Sequence, residues 1–418
     1  MRSVIERPSG AHIFEARHGQ RPMSGGAAPG QRGNVVGPGG PGGAAAAAPS
    51  AAPAVVPFDQ AAHRGLEPGP VFTAQPGAAQ LTFGPVPLPA QGYLRRVILD
   101  FTAAGGAGAA TARADYPFNT VALVRLQDTN GAPLCELTGY NLFLMMTYGA
   151  FAGSPDPRNL PDYNASVTNP VFTLYIPVEI APTGLGALAN QSAAAAYKLT
   201  LIVDTTTNIW SSAPATTIPT FTIRTFCDFW TLPAPADMLG RPQQRTPPFN
   251  GTAQYFTQQP NVSVSTGNNN TRVTRTGNLI RVLAFVGRTS VFVRADTPFP
   301  DPFILNWDSR DLQIATQQVL RGIMREYIEQ LSARDAGVYV FQFSYGEERH
   351  AGQVEINSWL PTVSATRLEV DGSSAAGGTL DILVNDVSVA ETSPAARAVE
   401  TSATGYHPPV APTVMGAQ

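Results

Sequence analysis

The order of secondary-structure signals repeats along this chain. Twice the sequence passes through apolar-alternating strand segments, a turn, an amphipathic helix and further strands, first over residues 81–232 and again over 253–389. Strand patterns dominate both passes, and each carries one substantial helix after its early strands. A chain built this way folds as two similar units. Each pass is long enough to bury its own core, which points to two tandem β-barrels.

The first pass offers strands at 81–86, 93–102, 120–127, 171–180, 197–204 and 221–229, all dense in β-branched or aromatic residues. Leu174, Ile176, Val178 and Ile180 share one face. Pro177 between them cannot donate to a ladder, so it predicts a sheet edge or a bulge. Asp128-Thr129-Asn130-Gly131 predicts a hairpin turn and lacks the further acidic ligands of a calcium loop. Thr138 is the expected N-cap of a helix from Gly139 to about Tyr148 that ends at Gly149. Tyr140, Phe143, Leu144 and Tyr148 supply its apolar face. Residues 152–169, rich in Pro, Asp and Asn, read as a surface loop.

The second pass offers strands at 254–258, 261–266, 278–286, 290–294, 338–345, 354–356, 366–370 and 379–384, with a turn at 267–270. Asp308 or Ser309 is expected to open the longest helix of the chain, running to about Ala333. Leu312, Val319, Leu320, Ile323, Tyr327, Ile328 and Leu331 recur there at helical spacing.

These signals predict a flexible Gly/Ala/Pro-rich arm at 1–78, a first barrel at 79–235, a semi-rigid link at 236–250, a second barrel at 251–390 and a tail at 391–418. The first 50 residues hold Arg2, Arg7, Arg17, Arg21 and Arg32 against Glu6 and Glu15, a mild positive excess suited to nucleic acid or anionic lipid.

Charged residues make up only 14 % of the chain, against about 25 % in typical soluble domains. Subunits whose flanks are covered by copies of themselves have such a composition. The net charge of -3 argues against a polyanion-binding body. Lys198 is the only lysine, and with the abundant Ala, Gly and Pro this reads as the coding bias of a GC-rich genome. Cys135 and Cys227 are the only cysteines; both fall in apolar stretches and are expected as buried hydrophobes without a disulfide framework. The start has no apolar signal core, and Pro49 and Pro53 interrupt the Ala-rich run at 44–56, so neither secretion nor membrane insertion is expected.

Catalytic constellations are missing from the sequence. It holds no Gly-Lys-Ser/Thr phosphate loop, no HExxH and no paired CxxC. The glycine clusters near Gly25, Gly39 and Gly105 lack a strand–helix setting. His350 after Glu347 and Glu348 is better read as a solvated loop than as a metal or base site. Asp301, Asp308 and Asp311 are better read as helix-cap and dipole partners than as catalytic acids. No catalytic, cofactor-binding or metal residue, no cofactor and no small-molecule substrate is therefore expected.

Ala114-Asp115-Tyr116-Pro117-Phe118-Asn119, the strand through Arg125-Leu126-Gln127-Asp128, the turn at Asn130-Gly131 and Leu137-Thr138-Gly139-Tyr140 with its Leu- and Tyr-rich helix resemble the major capsid proteins of tectivirus-like bacteriophages. These belong to the double jelly-roll lineage. The likeness in element order covers about residues 80–390, and the local wording is mostly at 93–150. The front arm is longer than the family pattern. The resemblance implies an all-β fold of two tandem eight-stranded jelly rolls, each with a helical insertion, between flexible arms. It also implies a homotrimer of pseudo-hexagonal outline that meets neighbouring capsid trimers, penton and minor capsid proteins in an icosahedral shell. That shell would enclose double-stranded DNA and an internal membrane, with lipid or DNA contacted through the N-terminal arm.

Two other classes stay open on residues alone. A virion spike or glycan-binding jelly roll would use exposed loop aromatics, of which Tyr148, Phe151 and Tyr163 form the one cluster. A cupin-type enzyme would need clustered His and carboxylate ligands on strands.

Overall fold

The computed structural model describes residues 54–149, 156–248, 251–308, 310–327, 335–343, 359–362 and 367–388. The first barrel has eight principal strands: β1 Arg64–Ala74, β2 Leu81–Pro87, β3 Tyr93–Ala104, β4 Val121–Gln127, β5 Pro133–Leu137, β6 Val171–Pro177, β7 Lys198–Val203 and β8 Thr220–Trp230. Helix α1, Gly139–Tyr148, lies between β5 and β6. One sheet has the order β1-β8-β3-β6 and the facing sheet β2-β7-β4-β5.

The second barrel repeats this plan with β9 Gln254–Val264, β10 Gly267–Arg272, β11 Leu279–Ser290, β12 Phe303–Trp307, β13 Arg310–Ala315, β14 Val338–Gln342, β15 Leu368–Ser374 and β16 Gly378–Val387. Helix α2, Gln317–Tyr327, lies between β13 and β14. The sheet orders are β9-β16-β11-β14 and β10-β15-β12-β13. Strand for strand this is the order of the first barrel, and two such facing sheets make a jelly roll. The repeat read from the sequence is thus a repeat of topology, helix included.

Period-two burial explains the sheets. Along β3, Leu94, Val97, Leu99, Phe101 and Ala103 point inward and are buried. Phe101 stacks on Phe172 of β6 at 4.5 Å between ring centroids. In the second barrel Phe299 stacks on Tyr339 at 3.9 Å and Phe303 on Phe341 at 4.5 Å, so aromatic pairs fill the space between its sheets. Pro177 ends β6 opposite Arg96, at the edge of its sheet, as its missing donor requires.

Several elements differ from the expectation. Residues 64–74, assigned to the flexible arm, form β1 and pair along β8. Pro68 and Pro70 disguise this strand; they are tolerated because β1 is an edge strand with a register shift between Pro68 and Val71. The short β5 carries Pro133 and was not expected. Residues 267–270, read as a turn, begin β10, while 254–264 form one strand with a register shift between Gln259 and Val262. The long helix from Asp308 divides. Asp308 takes a left-handed φ of 46° in the turn between β12 and β13, a conformation that aspartate tolerates, and the helix starts only at Gln317. Asp301 accepts a hydrogen bond from the backbone N–H of Gln317 at 3.2 Å, so it does sit at the helix start. Asp311 lies in β13 opposite Asn306.

The link 233–248 packs on the first barrel. Gln243 bridges to Val56, the Val56 amide donates to the Pro242 carbonyl at 2.9 Å, and the Tyr93 hydroxyl donates to the Arg245 carbonyl at 3.0 Å.

Both barrels receive and release the chain at the same end. Trp230, the last residue of β8, pairs with Arg64 and with Tyr93 at the starts of β1 and β3. Val387, at the end of β16, likewise pairs with Gln254 and Leu279. The barrels stand alongside because β5 pairs parallel to β9 at Cys135 and Phe256, which carries one sheet through both.

Candidate functional site at the seam between the barrels

Helix α1 fills the seam. Every residue from Gly139 to Tyr148 is buried, more than the one apolar face expected of it. The first barrel covers one side, where Phe118 stacks on Phe143 at 4.0 Å. The second barrel covers the other. Its Gln258 accepts from the Thr138 amide at 3.1 Å and from Asn141 Nδ2 at 2.8 Å, while the Thr138 hydroxyl accepts from the Asn141 amide. The expected N-cap is therefore present, and a glutamine of the partner barrel reinforces it. At the far end Gln342 Nε2 donates to the Tyr148 carbonyl.

Alternating charges cross the same seam. Asp115 of the first barrel meets Arg288 at 2.8 Å and Arg294 at 2.7 Å. Arg288 also meets Asp381 at 3.2 Å. Arg294 continues to Asp335 at 3.1 Å, and Asp335 meets Arg158 of the first barrel at 3.6 Å. Tyr140 lies beneath the arginines, with the Arg294 guanidinium 4.9 Å from its ring. Burial, which alone would lower their pKa values, is outweighed at both arginines. Asp115 and Asp381 raise that of Arg288; Tyr140, Asp115 and Asp335 raise that of Arg294. Burial first, then Asp335, holds the Tyr140 phenol well above its ordinary value. A buried ion network gives little net stability, because desolvation offsets the Coulomb gain, but it penalises any other placement of the partners. The seam thus sets how one barrel stands against the other. A cleft of about 270 Å³ opens beside it, lined by Arg113, Asp115, Tyr140, Phe292 and Asp381 among others.

Only Asp115, Tyr140 and Tyr148 of this network stood out in the sequence. Arg288, Arg294, Asp335 and Arg158 did not, since nothing local marks residues that meet across a fold. Among the described residues no three His, Cys, Asp or Glu side chains gather as a metal site. His350, Glu347 and Glu348 lie outside the described residues, as does Phe151. Tyr148 is buried, and Tyr163 stacks beside Phe118 at 6.4 Å, so neither is a free loop aromatic. Cys135 and Cys227 are buried free thiols.

The free edges are as informative as the paired one. In the first barrel the edge strand β5 is covered by β9. Its counterpart β13 has no strand on its outer side among the described residues, and it exposes Leu312 and Ile314. At the other extreme β1, the counterpart of β9, is also an edge without an outer strand among the described residues, and it exposes Leu66 and Val71.

No family model matches the sequence, and no curated protein matches it significantly. Solved structures do match. A chain of the atomic structure of Sulfolobus turreted icosahedral virus aligns over 81 % of this chain and 96 % of its own, with a TM-score of 0.56 at 13 % identity. The major capsid protein of the same virus aligns over 76 % and 96 %, with a TM-score of 0.51 at 12 % identity. A chain of the PBCV-1 virus capsid aligns over 78 % and 94 %, with a TM-score of 0.51 at 12 % identity. The fold is the double jelly roll. The double jelly roll expected from residues 93–150 is thereby shared with viral capsid proteins at sequence identities too low for anything but fold to be carried across.

Proposed function

We propose that this double jelly roll is the major capsid protein of an icosahedral virus, localised in the virion shell and assembled as a homotrimer of pseudo-hexagonal outline. One observation carries the reading. The seam inside the chain joins the fifth strand of one barrel to the first strand of the next, and the two equivalent edges, β13 and β1, lie open at the ends of the pair among the described residues. A second copy repeats the joint, and a ring closes when three copies present six barrels. Exposed Leu312 and Ile314 on one edge and Leu66 and Val71 on the other supply apolar surface for that contact. The low content of charged residues fits flanks covered in an obligate assembly.

In this reading trimers tile the shell beside penton and minor capsid proteins. The arm at 1–53 contacts the packaged double-stranded DNA or an internal membrane. No catalytic role is assigned. Light scattering on the purified chain tests the reading: three copies of the 44.1 kDa chain give a mass of about 132 kDa, independent of concentration. The Leu312→Asp/Ile314→Asp variant is expected as a folded monomer. A wild-type monomer, or a trimer unaffected by charges on the β13 edge, would overturn it.

A further inference from the structure

The link between the barrels carries a feature that neither barrel needs. Met238 and Leu239 are 100 % and 80 % exposed at the tip of a tight turn. Such a tip costs solubility and contributes nothing to either core, so a contact elsewhere is the physical reason to keep it. The turn is rigidly held. The Asp237 carboxylate accepts from the amides of Leu239 at 2.9 Å and Arg241 at 2.8 Å, and it pairs with the Arg241 guanidinium at 2.7 Å. Gly240, at a φ of 74°, makes the bend possible. Ala236 bridges to Pro242, and Gln244 donates to the Val56 carbonyl at 2.9 Å, so the base of the turn is tied to the barrel.

Its position selects the kind of partner. The turn follows β8 at the barrel end where the chain enters at Ala54 and where β16 delivers it to Ser388. Exposed Val55 and Leu232 add apolar surface at this end, and exposed Arg64 and Arg245 flank it against exposed Asp59, while Arg241 is paired with Asp237. In the proposed ring, contacts between copies use the strand edges along the barrel flanks, which leaves the barrel ends for something broad. An apolar tip beside basic side chains is the pairing of signals that holds a protein on an anionic bilayer.

We infer that Met238 and Leu239 form a membrane finger, which inserts into the head-group region of an anionic lipid leaflet lying against this end of the molecule. The inference rests on the proposed ring in two respects: the ring leaves this end free, and it aims three fingers the same way, so that their joint binding exceeds that of one.

Vesicle flotation of the full chain tests it, with phosphatidylglycerol-containing and pure phosphatidylcholine vesicles. The intact protein is expected to float with the anionic vesicles. The Met238→Ser/Leu239→Ser variant, changed only at exposed side chains, is expected to keep its melting temperature and solution mass and to lose about tenfold or more in partitioning. A dye on Met238→Cys is expected to shift to the blue on anionic vesicles. Wild-type protein that stays in the aqueous layer, or a Ser/Ser variant that floats equally well, would overturn the finger. A Ser/Ser variant with altered lipid-free mass would also overturn it, by making the tip a protein contact. The wild-type mass decides the ring; flotation, with the lipid-free mass of the Ser/Ser variant, decides the finger.

Discussion

Asp115 of the first barrel sits 2.8 Å from Arg288 of the second, with side chains only 12 % and 8 % exposed. The same carboxylate meets Arg294, so one residue holds two buried cations in place. Removing it leaves both with less compensation. Asp115→Ala is expected to destabilise the chain by about 3 kcal/mol, as loss of one partner of a buried pair does. Replacing Arg288 and Asp115 together with apolar residues of similar size is expected to cost less than the single change. Denaturant unfolding of the three proteins measures this, and additive costs would show that the pair is not coupled.

Helix α2 gives a sharper contrast. Leu320 and Met324 face the core at 3 % and 5 % exposure, whereas Val319 is 52 % exposed. Met324→Ala is expected to cost about 2–5 kcal/mol. Val319→Asp is expected to stay within about 0.5 kcal/mol. Thermal melts of the two variants rank them, and a reversed order would mean that the helix is turned about its axis.

The cysteines should be chemically silent. Burial, with a lesser push from Glu67, raises the Cys227 thiol to about 12, and burial likewise raises Cys135. In a native thiol titration at pH 8 neither is expected to react, and both are expected to react in denaturant. Fast labelling of the native protein would place one of them at an accessible surface.

Glu179 carries the pH prediction. Burial raises its carboxyl above the ordinary 4.5, only partly countered by Arg95 and by hydrogen bonds from Trp230 and Gly184. A folded pKa above the unfolded one means the native state holds the proton more tightly. Its contribution to stability is full below the unfolded value and is lost as pH rises through the folded one. The stability of wild type minus that of Glu179→Gln should therefore fall as pH increases from 4 upward through that window. Parallel unfolding curves taken across the range check the sign, and a rising difference would contradict it.

The sequence disclosed elements wherever local chemistry and the fold agree. Asp128-Thr129-Asn130-Gly131 is a hairpin, with Asp128 accepting from the amides of Asn130 and Ala132, because the turn needs nothing from the rest of the chain. Thr138 caps α1 for the same reason. Legibility failed where an edge position or a bend relaxes the local rules. The prolines of β1 fit only because it is an edge with a register shift. Leu312 sits seven positions before Val319, a spacing that suits a helix, yet Leu312 belongs to a strand that turned at Asp308. The seam was hidden for another reason. Asp115, Arg288, Arg294 and Asp335 are far apart along the chain, and only the docking of two barrels brings them together.

The parallel pairing of β5 with β9 has a geometric consequence. An antiparallel joint would have set the barrels head to tail, and a plate built from them would look alike from above and below. With both barrels upright, the two ends of the molecule differ. Ala54, Ser388 and the Met238 turn lie at one of them. In the proposed shell, that one strand pair gives each tile a distinct top and bottom.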